Sequence, residues 1–419
     1  MTTSGVTHTA SSISSSRSDA RGPAAVRTLE DLGELRGKRA LVRVDFNVPL
    51  DRTADVPTVA DDTRIRAALP TLRVLLERGA ALILVSHLGR PAGTDPELSL
   101  APVAARLAQL LGTPVNLAPG ATGPEVVQMA EALRDGDVLL LENIRYEPGE
   151  TDNDPELAAA LAGLAEVYVN DAFGVAHRAH ASTEGVPRRI EERAAGLLLA
   201  REVDVLTELL SEPARPLVAV LGGAKVSDKL GVIEAFLQRA DRVLIGGAMC
   251  FPFLAAQGHP VGDSLCAADD VELARRLLER AESAPATLGL PSDLVIADRL
   301  DADADAVALD GVDVPEGMMG LDVGPRSAAD YAGEIARAGT VFWNGPMGAF
   351  ELAAFAAGTE AVARAVADAP GVTVVGGGDS AAALVQFGFG DRVTHLSTGG
   401  GAALELIEGR ELPGVAALA

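Results

Sequence analysis

Residues 40–49 read Ala-Leu-Val-Arg-Val-Asp-Phe-Asn-Val-Pro. Leu41, Val42, Val44, Phe46 and Val48 supply an apolar strand. Arg43, Asp45 and Asn47 sit two apart, so they project together from its other face. Pro49 has no N–H for a ladder, so the strand is expected to end there. One cation, one carboxylate and one amide on a short strand fit either a buried ion pair that fixes packing or a binding site. The rest of the chain bears on that choice, because other strands end in similar residues.

On either side of this stretch, apolar strands alternate with amphipathic helices. In the first half the strands are ALVRVDF, AALILVSH, DVLLLEN and EVYVNDAF. Helical stretches run between them over 63–78, 101–111, 124–133 and 155–164. That alternation predicts a parallel sheet covered on both faces. Over 190–210 the recurrence of Leu199, Val203, Leu206 and Leu210 predicts a long helix, broken by Pro213 and Pro216. The alternation then restarts with PLVAVLGG, DRVLIGG, SDLVIAD, GTVFWNG, GVTVVGGG and RVTHLSTGGG. The expected architecture is α/β, with two Rossmann-like three-layer domains, each built on a parallel sheet, joined by a helix and a hinge.

Composition narrows the function. The 419-residue chain has ample apolar residues at 48%, yet only 3% aromatics, so its cores are Ala, Val and Leu. A formal net charge of −24 argues against nucleic-acid or anionic-membrane partners. Any anion site must therefore be a local cationic pocket. Cys250 and Cys266 form no metal or disulfide motif, which suits a reducing, cytoplasmic setting. No run of eighteen apolar residues appears, so no membrane-spanning helix is expected. Residues 1–26 are rich in Ser and Thr and lack an apolar signal core; they read as a disordered extension.

Ligands of open α/β sheets bind beyond the carboxyl ends of the strands. The first half brings cations there: His87 and Arg90 in SHLGRP, Arg145 in ENIRY, and Arg178 between His177 and His180. Arg64 opens a helix soon after the first strand. The planar guanidinium suits carboxylate and phosphate, so this set predicts a small-polyanion pocket. The second half ends its strands in glycine, at Gly222-Gly223, Gly246-Gly247, Gly376-Gly377-Gly378 and Gly399-Gly400-Gly401. Glycines followed by helix N-termini suit a nucleotide phosphate cradle, although neither common glycine fingerprint is present. Lys225 and Lys229 would share one face if a helix began near Lys225, where only an anion would favour them. Asp379 is either an N-cap or a Mg²⁺ ligand. A polyanion on one domain and a nucleotide on the other fit a phosphoryl transfer closed between two lobes.

The motifs RVDFNVPLD, TRIRAALPT, SHLGRP, LLENIRYEPGE, VNDAFGVAHRAHAST, GGAKVSDKL, GLDVGP, WNGPMGAFE, VVGGGDSAAAL and STGGGAALELIEGRELPGV run in order from about Val26 to the end. In this series the chain resembles the phosphoglycerate kinase family. The resemblance implies reversible, Mg²⁺-dependent phosphoryl transfer between 1,3-bisphosphoglycerate and ADP, giving 3-phosphoglycerate and ATP. It implies a substrate domain over 27–200, rejoined by a tail over 404–419, an interdomain helix over 201–213 and a nucleotide domain over 214–403. Carried across by motif, Asp45 and Asn47 hold the glycerate, with Phe46, Leu88 and Gly89 beside them. His87, Arg90, Arg145 and Arg178 hold the non-transferred phosphate. Arg64 reaches the carboxylate and the phosphoryl group in flight. Lys225 and Lys229 meet the nucleotide and transferring phosphates, Gly320 the adenosine and Glu351 the ribose. Gly377, Gly378, Asp379 and Ser380 lie at the phosphates, with Asp379 toward Mg²⁺, and backbone N–H groups near Gly376 and Gly399 surround the transferred group. Hinges are expected near 197–213 and 399–409, and the protein is expected to be a monomer.

The departures from the family pattern are the extension before Val26, the main one, Tyr146 in place of phenylalanine and Cys250 in place of a smaller residue. A silent nucleotide-binding regulator would be expected to have lost Arg64, Lys225 or Asp379, and all three are present. The intact arginine set argues against a kinase for another phosphorylated acid, and an adhesive acidic surface would leave that set unexplained.

Overall fold

The computed structural model describes residues 26–54 and 56–419. Apart from Val26, the expected N-terminal extension lies outside the described residues. The first half contains β1 (Arg39–Arg43), β2 (Leu50–Asp51), β3 (Thr58–Val59), α1 (Thr63–Glu77), β4 (Ala81–Val85), α2 (Ala101–Leu111) and β5 (Val115–Leu117). It continues with α3 (Pro124–Glu131), β6 (Val138–Leu140), α4 (Pro155–Ala162), β7 (Val167–Asn170) and β8 (Glu192–Ala195). Six of these strands form a parallel sheet in the order β5-β6-β4-β1-β7-β8. Leu41, Ile83 and Tyr168 pack into one core, and Val42, Leu82 and Val169 into another, so both faces are covered.

A single helix, α5 (Leu197–Ser211), leads to the second half. There follow β9 (Leu217–Leu221), α6 (Leu230–Arg239), β10 (Arg242–Ile245), α7 (Cys250–Ala256), α8 (Ala268–Ser283), β11 (Thr287–Gly289), β12 (Leu294–Ala297), β13 (Val307–Leu309) and β14 (Met319–Val323). The chain ends with α9 (Pro325–Ala336), β15 (Thr340–Asn344), α10 (Ala357–Asp368), β16 (Val372–Gly376), α11 (Gly378–Gln386), β17 (His395–Leu396), α12 (Gly400–Ile407) and α13 (Pro413–Ala416). The second parallel sheet runs β11-β10-β9-β15-β16-β17. The α/β architecture with two parallel sheets is as the sequence predicts.

Several expectations need correction. The β1 ladder ends at Arg43, not at Pro49. Beyond it the Phe46 N–H is taken by Ser86 Oγ at 2.9 Å and the Asn47 N–H by Asp45 Oδ1 at 3.2 Å, so side chains replace the ladder. Residues 192–195 are not helix; they pair with β7 as the edge strand β8, and α5 starts only after Gly196. Its first N–H groups are capped from elsewhere in the fold: Leu197 N donates to Thr71 Oγ1 at 2.9 Å, and Leu198 and Leu199 donate to Asp171 Oδ1 at 2.9 and 3.2 Å. SDLVIAD does form a strand, β12, but it pairs antiparallel with β13 and β14 outside the main sheet. Lys225 and Lys229 both precede α6, which begins at Leu230, so they do not share the first turn of a helix.

The C-terminal tail packs on the first sheet's loops. Gly414 N donates to Ala176 O at 2.8 Å, Asn170 Nδ2 to Gly414 O at 3.0 Å, and Arg193 Nη2 to Ala419 O at 2.6 Å.

Candidate active site

The loops leaving β1, β4, β6 and β7 converge at the carboxyl edge of the first sheet. Arg64, the second residue of α1, donates from Nη1 to Asp45 Oδ2 at 2.7 Å. Asn47 Oδ1 accepts the Gly89 N–H at 2.8 Å, and Arg145 donates to the Gly89 carbonyl. His87 is 4% exposed, with Nδ1 3.4 Å from Arg43 Nη2 and 3.9 Å from Asp45 Oδ1. Burial, and then the charges of Arg43, Arg145 and Arg64, push its pKa well below the ordinary value, so the ring is neutral. Burial lowers the pKa of Arg145 as well, aided by Arg43, Arg178 and Arg90. The guanidinium groups gathered around His87 and Arg145 make a positive potential that an anion would relieve, although Glu150 opposes them at Arg145. Arg90, Arg145, Arg178 and His180 line a cavity of about 360 Å³. Phe46 and Leu88 are buried in the core, so only their backbones can face a ligand.

A larger groove of about 1330 Å³ lies beside the β2–β3 hairpin and α2. Its arginines, Arg66 and Arg106, are both paired with Asp62, so among the described residues it offers no unpaired arginine.

In the second half, the ends of β9, β10 and β15 approach backbone to backbone. Gly222 N donates to Asn344 O at 3.0 Å, Gly223 N to Pro346 O at 3.1 Å and Gly247 N to Met347 O at 2.9 Å. These turns border a cleft of about 540 Å³ whose lining includes Gly320, Glu351 and Asp379. Gly320 is small for a packing reason: a methyl group there would lie 2.2 Å from the Phe251 ring. Lys229 donates to the Asn344 side chain, and burial lowers its pKa to about 8 although Asp379 and Asp228 oppose the shift. Lys225 is exposed. Asp379 is also exposed, in the first turn of α11; the N-cap is Gly377, so the capping alternative for Asp379 does not hold. Ser380 is buried, and its hydroxyl accepts the Gly345 N–H at 2.6 Å.

Glycines join the two halves into one series of contacts. A methyl group on Gly174, after β7, would lie 2.6 Å from Asp45 Oδ2 and 3.7 Å from Gly399 Cα. One on Gly400 would lie 2.9 Å from Gly377 Cα, and one on Gly377 would lie 2.8 Å from Asn344 Nδ2. The series runs Arg64, Asp45, Gly174, Gly399-Gly400, Gly377, Asn344, Lys229. Glu202 of α5 supports its middle, accepting from Thr398 N at 2.7 Å and Thr398 Oγ1 at 2.8 Å, with His395 Nε2 2.7 Å away.

A sequence profile described as phosphoglycerate kinase matches residues 29–410. The chain belongs to the phosphoglycerate kinase family. The phosphoglycerate kinase of Rubrobacter xylanophilus is 57% identical over 94% of this chain and 98% of its own. The cytosolic phosphoglycerate kinase of Triticum aestivum is 51% identical over 94% and 99%. Among solved structures, the phosphoglycerate kinase of Coxiella burnetii covers 94% of this chain and 99% of its own, with TM-score 0.84 and 40% identity. Membership of the phosphoglycerate kinase family makes the chain a phosphotransferase with a carboxyl group as acceptor, acting on a nucleotide substrate. Among the described residues no helix is long and apolar enough to cross a membrane.

The sequence alone assigns no role to Gly174 or Asn344, two links of the contact series. Gly174 stands in the quoted VNDAFG stretch and Asn344 in WNGP, but only the assembled fold shows what each touches. Asp322 was also missed. It is 3% exposed at the cleft, burial raises its pKa to about 7, and Oδ2 accepts the Gly358 N–H at 2.7 Å.

Proposed function

We propose that this chain transfers a phosphoryl group reversibly between the acyl phosphate of 1,3-bisphosphoglycerate and ADP, with the acid held on the first lobe and the nucleotide on the second. The observation that carries the reading is the contact series from Arg64 to Lys229, which runs from the sheet edge that bears the cationic cavity to the turns that border the glycine-lined cleft. Arg90, Arg145, Arg178 and neutral His87 take the phosphate that stays on the glycerate, and Asp45 and Asn47 orient its hydroxyl and carboxylate. Gly320 and Glu351 belong to the nucleoside end of the cleft. Lys225, Lys229 and the backbone of Gly377 and Gly378 serve the phosphates, while buried Ser380 fixes the Gly345 turn beside them. The attacking carboxylate or diphosphate oxygen is already ionised at neutral pH, so no general base is required. Catalysis is alignment and charge neutralisation, supplied by Arg64, Lys225 and the N–H groups near Gly376 and Gly399.

Asp379 is an exposed carboxylate at the cleft, which suits a cation that takes its remaining ligands from phosphate and water. It would hold Mg²⁺ against the nucleotide, where the ion supplies charge neutralisation. The substrate lobe over 27–200 and the nucleotide lobe over 214–403 close about crossings near 197–213 and 399–409, in a cytoplasmic monomer. Closure excludes water that would otherwise hydrolyse the acyl phosphate. Small-angle scattering should show compaction only with both substrates present; an unchanged radius would remove the hinge from the account.

Calorimetry tests the division of labour between the lobes. Arg145→Ala is expected to weaken 3-phosphoglycerate binding by about 30-fold, the loss of one charge-assisted pair, and to leave ADP affinity unchanged. Retained 3-phosphoglycerate affinity would move the acid site elsewhere.

A further inference from the structure

A carboxylate lies under the arginine cavity, and phosphoryl transfer as described does not use it. Glu150 is 1% exposed and closes a 3-10 turn at Pro148–Glu150. Its Oε1 accepts the Ser182 hydroxyl at 2.6 Å and its Oε2 the Ser182 N–H at 2.9 Å. That same hydroxyl accepts Arg43 Nε at 2.8 Å, so Ser182 bridges acid and guanidinium. Arg43, itself 1% exposed, reaches His87 on its other side. His180 Nδ1 lies 3.6 Å from Glu150 Oε1, and His180 lines the cavity. From β7, the Tyr168 hydroxyl donates to the Ser182 carbonyl at 2.8 Å.

Burying a carboxylate is costly, and here it sits where it subtracts from the attraction an anion would feel. Of the charges acting on Arg145, Arg43, Arg178 and Arg90 lower its pKa while Glu150 raises it. A cavity built only for the tightest grip on phosphate would have no such acid packed behind its lining residue His180. We infer that Glu150 is a positioning residue that holds Arg43 through Ser182, faces His180 directly, and weakens the cavity's hold on phosphate, so that the phosphorylated acid can leave. The inference rests on reading the cavity as the phosphate site. Loss of the negative charge tightens anion binding; loss of the bridge alone does not.

The test uses the full chain, with inorganic sulfate and 3-phosphoglycerate as probes. Glu150→Gln keeps the shape and an acceptor for Ser182 but removes the charge. It is expected to bind both anions about tenfold tighter, with KM for 3-phosphoglycerate falling and KM for ATP unchanged. Ser182→Ala keeps the charge and is expected to show no tightening. Unchanged or weaker anion binding in Glu150→Gln would overturn the inference, since a purely structural acid weakens binding in both variants. If Glu150→Gln does not fold, the pair Arg43→Met and Arg43→Met/Glu150→Gln decides: the first weakens sulfate binding and the second restores it, whereas additive weakening refutes the role. Arg145→Ala is the control. If it leaves sulfate affinity untouched, the phosphate reading itself fails; if it abolishes binding and Glu150→Gln shows no tightening, only the inference fails.

Discussion

Arg64→Ala is expected to lower kcat by about 10²-fold or more, ~3 kcal/mol in the barrier, while leaving ADP affinity within about twofold. The side chain leaves the second position of α1 and spends Nη1 on Asp45, 2.7 Å away. In the proposed reaction its remaining donors would meet charge that develops only during transfer, so its loss is expected to fall on kcat more than on binding. Asp45 is not stranded by the substitution, because its Oδ1 still accepts the Asn47 N–H at 3.2 Å. Arg64→Lys is expected to recover little, since a point charge cannot reproduce a planar fork. Steady-state turnover and calorimetry with ADP read both effects. Near-normal kcat in Arg64→Ala would remove the residue from the chemistry.

Gly222→Ala is expected to destabilise the second half of the chain by about 3 kcal/mol and to abolish measurable ADP binding. A methyl group at this position would sit 2.0 Å from Pro346 O and 2.8 Å from Gly345 O. Both obstacles are backbone, so no rotamer change relieves them. Gly345, at φ +96°, already lies against Gly222 in return, and Gly247, at φ +66°, against Gly223. The three turns must part to admit one carbon, and these are the turns that border the cleft. Thermal unfolding and ADP titration measure the result; a stable variant with normal ADP affinity would contradict the close approach.

The parts of the fold that were legible in the sequence are those set by local pattern. Buried parallel strands such as Ala81–Val85 are continuous apolar runs, and helices such as Ala101–Leu111 carry their periodicity openly. Residues 192–195 misled because an edge strand of four residues has too little pattern to interrupt the helical spacing that follows. SDLVIAD reads as any buried strand, and nothing within it specifies an antiparallel partner. At the site, arginines after strand ends stand out because an acidic chain has little other reason to gather them. Glycines that serve contact rather than freedom do not stand out: Gly174 matters through Asp45 and Gly399, and Gly320 through Phe251. Those partners are remote in sequence, as is the Ser182 that links Glu150 to Arg43.

The most direct test is turnover of purified protein with 3-phosphoglycerate and MgATP, coupled to an acyl-phosphate-reducing dehydrogenase and read as NADH oxidation. Oxidation is expected to require both substrates and to disappear in Arg64→Ala. No oxidation from a folded protein that still binds ADP and 3-phosphoglycerate would contradict the proposed reaction.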